Sequence, residues 1–226
     1  MSQLINIFVE PAKVFAELKE KPTFLVPALL VSVIGALAAV MYFLNVDPEW
    51  FANHQLQAAG QEMSAAELEQ AKQFMPGART LAYITGPMAL LTMVIVFSLY
   101  ALYYMLAGKI SGNPTSFRHG LSLGAWSSMP MILGSVLAII GVYTSSPQST
   151  LESMQLLNVD PLFVQLETGH AWSTLARSFS LLNIWVWFLA ALGWKTWYRT
   201  GWGQALFVVL LPGVVIYGAM ALFAAF

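Results

Sequence analysis

Three histidines are the readiest proton carriers and metal donors in this chain: His54, His119 and His170. His54 and His170 fall in segments that also hold Asp47, Glu49, Asp160 and Glu167. Imidazole and carboxylate are ligands a divalent metal accepts. No pair has the H-x-x-x-H or H-E-x-x-H spacing that sets two imidazoles on one helix face, so these histidines read as solvated loop residues, with no metal and no cofactor. There is no cysteine, which removes thiolate ligands and thiol nucleophiles. Gly108–Pro114, GKISGNP, lacks the spacing of a phosphate-binding loop and reads as a turn. No nucleophile elbow or zincin motif appears, so no catalytic residue is assigned and no enzyme is expected.

The remaining polar candidates lie inside apolar stretches. Asn183, Ser127, Ser128 and Thr92 lead this group. Such side chains line a permeation path in some proteins; more often they bond across helices or to their own backbone.

The elements that must position them follow from composition. The chain has 226 residues, 58% hydrophobic and 9% charged, against about 25% charged in soluble domains. One core cannot hide that much apolar surface, so lipid is the solvent for much of it. The net charge of −1 leaves no basic face for nucleic acid. Five apolar stretches stand out, at about 24–44, 81–107, 121–143, 178–195 and 204–226. A spanning helix needs about 20 residues, within a range of about 17–25. The fourth reaches that length only with Ser178 and the stem of Lys195. The apolar runs themselves contain no Asp, Glu, Lys, Arg or His. The expected fold is an all-α integral membrane protein: a bundle of five transmembrane helices (24–226), a short N-terminal interfacial helix (1–23), and small amphipathic helices in two outer loops.

Orientation follows from the connections. Lys13, Lys19, Lys21, Lys109, Arg118, Lys195 and Arg199 fall on one side, and most acids on the other. The positive-inside rule places the basic side, and the N-terminus, in the cytoplasm, with the C-terminus outside. Trp194, Trp197, Tyr198 and Trp202 then read as an interfacial aromatic belt. The pentapeptide LNVDP occurs twice in the outer connections, at 44–48 and 157–161. Asp before Pro suits a helix start, so each copy predicts one. Ser64 and Glu67 match a capping box for a further helix.

Ahead of the first span, Phe8–Pro22 carries six charges. Phe8, Val9, Ala12, Phe15, Ala16 and Leu18 mostly share one face at helical spacing. Lys13 and Glu17 lie one turn apart and can pair. The segment predicts a cytoplasmic helix lying in the membrane interface, apolar face down.

The segment Ile7-Phe8-Val9-Glu10-Pro11-Ala12-Lys13-Val14-Phe15-Ala16-Glu17-Leu18-Lys19-Glu20-Lys21-Pro22, leading into the first of five spans, resembles the bacterial branch of the Yip1 family. Ser116-Phe117-Arg118-His119-Gly120-Leu121, with Pro130 in the third span, is similar to that family's segment between spans two and three. The resemblance implies a polytopic protein with a cytoplasmic N-terminus and, for this branch, a bacterial inner membrane. Eukaryotic members bind small GTPases. Their long N-terminal region has no counterpart in the roughly 23 residues before the first span here. Of their Asp-Leu-(Tyr/Ala)-Gly-Pro signature only Pro27 in Phe24-Leu25-Val26-Pro27 matches, so GTPase binding is not carried over.

Pro27, Pro87, Pro130 and Pro212 fall within spans, each freeing a backbone carbonyl and predicting a kink. Gly120 and Gly124 form a GxxxG; Gly35, Gly213 and Gly218 offer further close approaches, within one chain or between copies. Two functions follow. One is a non-enzymatic membrane protein that organises the bilayer, other membrane proteins or a second copy of itself through helix packing. The other is a channel or small-solute carrier, without the intramembrane ionisable residue that coupled transport usually uses.

Overall fold

Helices account for nearly all regular structure in the computed structural model, which describes residues 3–58, 65–166 and 170–225. No strand occurs among these residues, only an isolated bridge between Asn158 and Ser180. Ser64, Glu62 and Glu167 lie outside the described residues; Glu67 stands in the first turn of the helix that the capping box anticipates.

Two short helices, α1 (Gln3–Val9) and α2 (Pro11–Glu20), precede the long ones. The segment expected to be one helix from Phe8 is broken at Glu10, because Pro11 opens α2. Lys13 turns to Glu10 (3.7 Å), and Glu17 takes a hydrogen bond from Gln3 instead. Three long helices are each apolar enough to cross a membrane: α3 (Leu25–Asn45), α6 (Ala78–Ile110) and α12 (Trp202–Ala225). A fourth candidate is the pair α7 (Phe117–Ser127) and α8 (Met131–Thr144), bent by 45° at the break that holds Pro130. The helix α11 (Leu182–Tyr198) has 17 residues, the lower edge of spanning length. It starts later than 178 because Val159 and Leu181 bond across to the Phe179 and Leu157 carbonyls, which holds Ser180 extended.

α6 has 33 residues, about 50 Å at 1.5 Å per residue. It therefore outreaches a hydrocarbon core of about 30 Å. α3 packs along α6 and α8, α7 crosses α6, and α11 lies between α12, α7 and α2. The crossing of α6 and α7 is set by Gly120. A Cβ there would sit 2.5 Å from the Ala101 carbonyl oxygen, so only glycine permits this approach. Gly124, one turn on, meets Phe97 at an ordinary 3.8 Å, Gly35 faces the Ser135 hydroxyl at 3.7 Å, and Gly218 touches nothing. Gly193 is a close approach that its sequence context does not announce: a Cβ would fall 2.5 Å from Leu123 and 2.8 Å from Phe15.

The acidic connections fold over one end of the bundle as α4 (Pro48–Ala58), α5 (Ala65–Phe74), α9 (Leu151–Met154) and α10 (Ser173–Ser178). Asp47 caps α4, accepting from the Trp50 N–H at 2.8 Å. The second LNVDP copy departs from the expected helix start. Asp160 opens a single π-helical turn, Asp160–Val164, and its carboxylate accepts from Leu166 N–H at 3.0 Å and faces Arg177 at 3.6 Å. The two connections are tied together: Asp47 N–H donates to the Pro147 carbonyl, and the Tyr42 hydroxyl to that of Ser149.

Gly120→Leu should destabilise the bundle by about 1–3 kcal/mol through overpacking, and Gly218→Leu by less than about 0.5 kcal/mol. Denaturation of both variants in detergent checks the ordering.

Candidate functional site

Two places gather the polar residues that matter. The first is the N-terminal end of the bundle. Ile7, Val14, Phe15 and Leu18 are buried almost completely. Their partners are α11 and α7, where Leu123, Trp194 and Trp197 are equally buried. The buried face of the N-terminal helices thus turns into the protein, not down onto lipid; of the residues expected on it, Phe15 and Leu18 are buried and Phe8 partly so, while Val9, Ala12 and Ala16 stay exposed. Its charged face, with Lys13, Glu17, Lys19 and Glu20, is exposed. Trp194 and Trp197 form this packing and not a lipid-facing belt; Trp202 remains exposed, with the Lys195 amine 5.4 Å from its ring centre.

Side chains from the bundle hold the backbone of this segment. Trp197 Nε1 donates to the Phe15 carbonyl at 2.6 Å. Arg118 Nε donates to Pro22 at 2.9 Å. His119 Nε2 lies 3.0 Å from the Lys19 carbonyl, which can only accept, so Nε2 carries a proton and donates; Nδ1 and the Ser116 hydroxyl share a hydrogen bond at 2.7 Å. Ser122 Oγ and Trp126 Nε1 both donate to the Thr23 carbonyl, at 2.9 and 2.8 Å. Thr23 lies ahead of α3, whose first helical bond runs from Ala28 N–H to Phe24, and Pro27 stands in the first turn, where a missing N–H frees no carbonyl. Pro27 therefore makes no mid-helix kink.

Pro212 does sit inside α12, and the carbonyl it frees, Val208, takes the Tyr103 hydroxyl at 2.5 Å. Pro87 likewise lies within α6. Thr115 and Tyr198 share a further hydroxyl contact that ties the α6–α7 turn to the end of α11.

The second place is a cavity of about 510 Å³ at mid-height of the bundle. Val31, Gly35 and Ala39 of α3, Phe97 and Tyr100 of α6, and Trp187 of α11 are among its walls. Gly213 gives Trp187 its place: the indole would lie 2.8 Å from a Cβ there. Of the four polar candidates, Ser127, Ser128 and Asn183 line this cavity. Thr92 does not, and faces outward on α6. Ser127 donates back to the Leu123 and Gly124 carbonyls, and Ser128 to Gly124. Asn183 Nδ2 donates to the Tyr217 hydroxyl at 2.9 Å. At the acidic-loop end the walls are Gln155, Asn158 and Arg177. At the other end Tyr104 packs against Trp194, and beyond it Leu123 and Trp194 fill the bundle. Arg177 and Tyr217 carry no sequence signal as cavity residues, one lying in a loop and the other in a plain apolar run.

The histidines stay apart. His54 stacks on Trp50 with ring centres 4.9 Å apart, and His170 Nδ1 accepts from the Trp172 N–H. Among the described residues no cluster of His, Asp or Glu could hold a metal.

The Yip1 domain model matches residues 5–223. "Membrane protein YknW" of Bacillus subtilis (strain 168) is 24% identical over 227 residues, covering 99% of this chain and 88% of that protein. No solved structure matches.

His119→Ala should free the end of α2. Amide exchange at residues 11–22 should rise about ten-fold by mass spectrometry, while Thr92→Ala leaves it unchanged. Tyr103→Phe should cost about 1 kcal/mol, and clearly less in a Pro212→Ala background, where Val208 regains its own N–H partner; a double-mutant cycle in detergent reads the difference.

Proposed function

The chain belongs to the Yip1 domain family, and on that premise we propose a non-enzymatic protein of a bacterial inner membrane. It crosses the bilayer five times and organises the membrane, partner proteins or a second copy of itself through helix packing. The bent pair α7–α8 and the 17-residue α11 supply the spans beyond the three long helices. The N-terminus is cytoplasmic and the C-terminus outside, from the distribution of Lys and Arg.

The observation that carries this reading is the pinned N-terminal segment. A helix held by Trp197, His119 and Arg118 presents Lys13, Glu17, Lys19 and Glu20 on a fixed outer face. Ordering this face in advance lowers the entropic cost of binding a partner. A second reading, a channel or small-solute carrier without an ionisable coupling residue, draws on the central cavity and its three polar residues. Against it stands the packing of Phe15, Leu123, Trp194 and Trp197, which closes the bundle beneath Tyr104.

A photoreactive residue at Lys13 or Glu20, irradiated in native membranes, should give protein–protein adducts. Adducts to lipid alone at both positions overturn the organising role. Alkaline phosphatase fused after Phe226 should be active, and a fluorescent protein there dark. The reverse pattern overturns the five-span count.

A further inference from the structure

The central cavity has walls of one chemistry and an end of another. Its middle is built from Val31, Ala39, Met93, Val96, Phe97 and Val186, all apolar. Its small residues, Gly35, Gly124 and Gly134 among them, keep it open where larger side chains would close it. The serine hydroxyl protons are already used: Ser127, Ser128, Ser135 and Ser180 each donate to a backbone carbonyl. Beside the hydroxyls of Tyr100 and Tyr104 the walls are mostly apolar, a surface that suits hydrocarbon better than a polar solute.

One end differs. Arg177 reaches its rim, and among the described residues that line it there is no Asp or Glu. Among the described residues the guanidinium pairs with Asp160, on the side of a smaller polar pocket that Arg177 and Glu152 also line. That contact is an ion pair at 3.6 Å and not a hydrogen bond. Arg177 Nε, the nitrogen that faces Asp160, is buried and has no hydrogen-bond acceptor among the described residues. The ion pair therefore meets the charge only in part, and with 29% of the side chain exposed the guanidinium keeps N–H donors for an oxygen ligand. Gln155 stands beside it on the same rim. The volume, about 510 Å³, is in the range of small-molecule sites, about 300–1,000 Å³.

The geometry points to a binding site for an anionic amphiphile, with one acyl chain between α3, α6, α8 and α11 and its carboxylate or phosphate at Arg177. This site is separate from the pinned N-terminal face, and its test does not depend on that reading.

The test uses the full chain in a nonionic detergent and cis-parinaric acid, a fluorescent fatty acid, as probe. Wild type should bind it saturably at about one per chain. Gly35→Leu fills the cavity without a backbone clash, since its Cβ has 3.7 Å to Ser135, and should weaken binding about ten-fold or more. Arg177→Gln should weaken the acid by about ten-fold and leave its uncharged methyl ester unaffected. Displacement by oleate but not lysophosphatidylglycerol assigns the head to a fatty acid, and the reverse assigns it to a phospholipid. Circular dichroism and melting confirm that each variant folds, and Gly124→Leu is the second blocking variant if Gly35→Leu does not. Probe uptake that matches empty micelles overturns the site. So does equal affinity in folded blocking variants, and equal loss of acid and ester in Arg177→Gln removes the anionic head.

Discussion

In a hydrocarbon solvent a backbone carbonyl that loses its N–H partner must find another donor inside the protein, because water cannot supply one there and the unmet group costs several kcal/mol. This chain creates such carbonyls with proline and with helix ends, and meets them from neighbouring helices. The Thr23 carbonyl, just ahead of α3, takes two donors from α7. Pro212 frees Val208, which takes Tyr103 from α6. Outside the hydrocarbon, the carbonyls of Lys19 and Pro22, at the exposed end of α2, likewise take His119 and Arg118. Each bond joins segments far apart in the chain, so the requirement that satisfies the backbone also fixes how the helices assemble. The match is not complete: the Trp194 indole N–H is buried without an acceptor.

The same bonds explain why two segments that resemble one family belong together. The stretch ending at Pro22 and the stretch Ser116–Leu121 are about a hundred residues apart, yet His119 and Arg118 of one grip the backbone of the other. Gly120 lets α7 come close to α6 while its neighbours reach α2. A glycine for approach, flanked by donors for carbonyls, is a docking device spread over a single helical turn.

Long apolar runs made α3, α6 and α12 legible, because a continuous run free of charge has few other destinations in a chain this poor in polar surface. Pro130 marked the bend between α7 and α8 for a local reason, the missing N–H. What periodicity could not tell is whether an apolar face meets lipid or protein, since both are equally apolar. For this reason the N-terminal helix and Trp197 read as interfacial and prove to be core. Gly120 and Gly218 look alike in sequence, and only the neighbouring helix makes one indispensable. The two LNVDP copies differ for a tertiary reason as well: Asp47 has a free helix start to cap, whereas Asp160 has Arg177 in front of it. Arg177, counted by its charge among loop residues, gains its place at the cavity from the bridge between Asn158 and Ser180 that sets where α11 begins.

The cavity has a physical consequence of its own. Unfilled apolar space costs on the order of 24 cal/mol per Å³ in engineered cores. The space of about 510 Å³ here is partly open, so that scale does not apply to it whole, but its bare apolar walls still lack partner atoms. Water is a poorer filling along the apolar walls, since a buried water needs two to four polar partners and the serines there have already committed their protons. Hydrocarbon needs no partners and restores the dispersion contacts that an empty wall forfeits. In a bilayer it is also the most concentrated molecule at that depth. The small side chains of α3 and α8 therefore do not describe a loosely packed core: they describe a core whose last component comes from outside the chain.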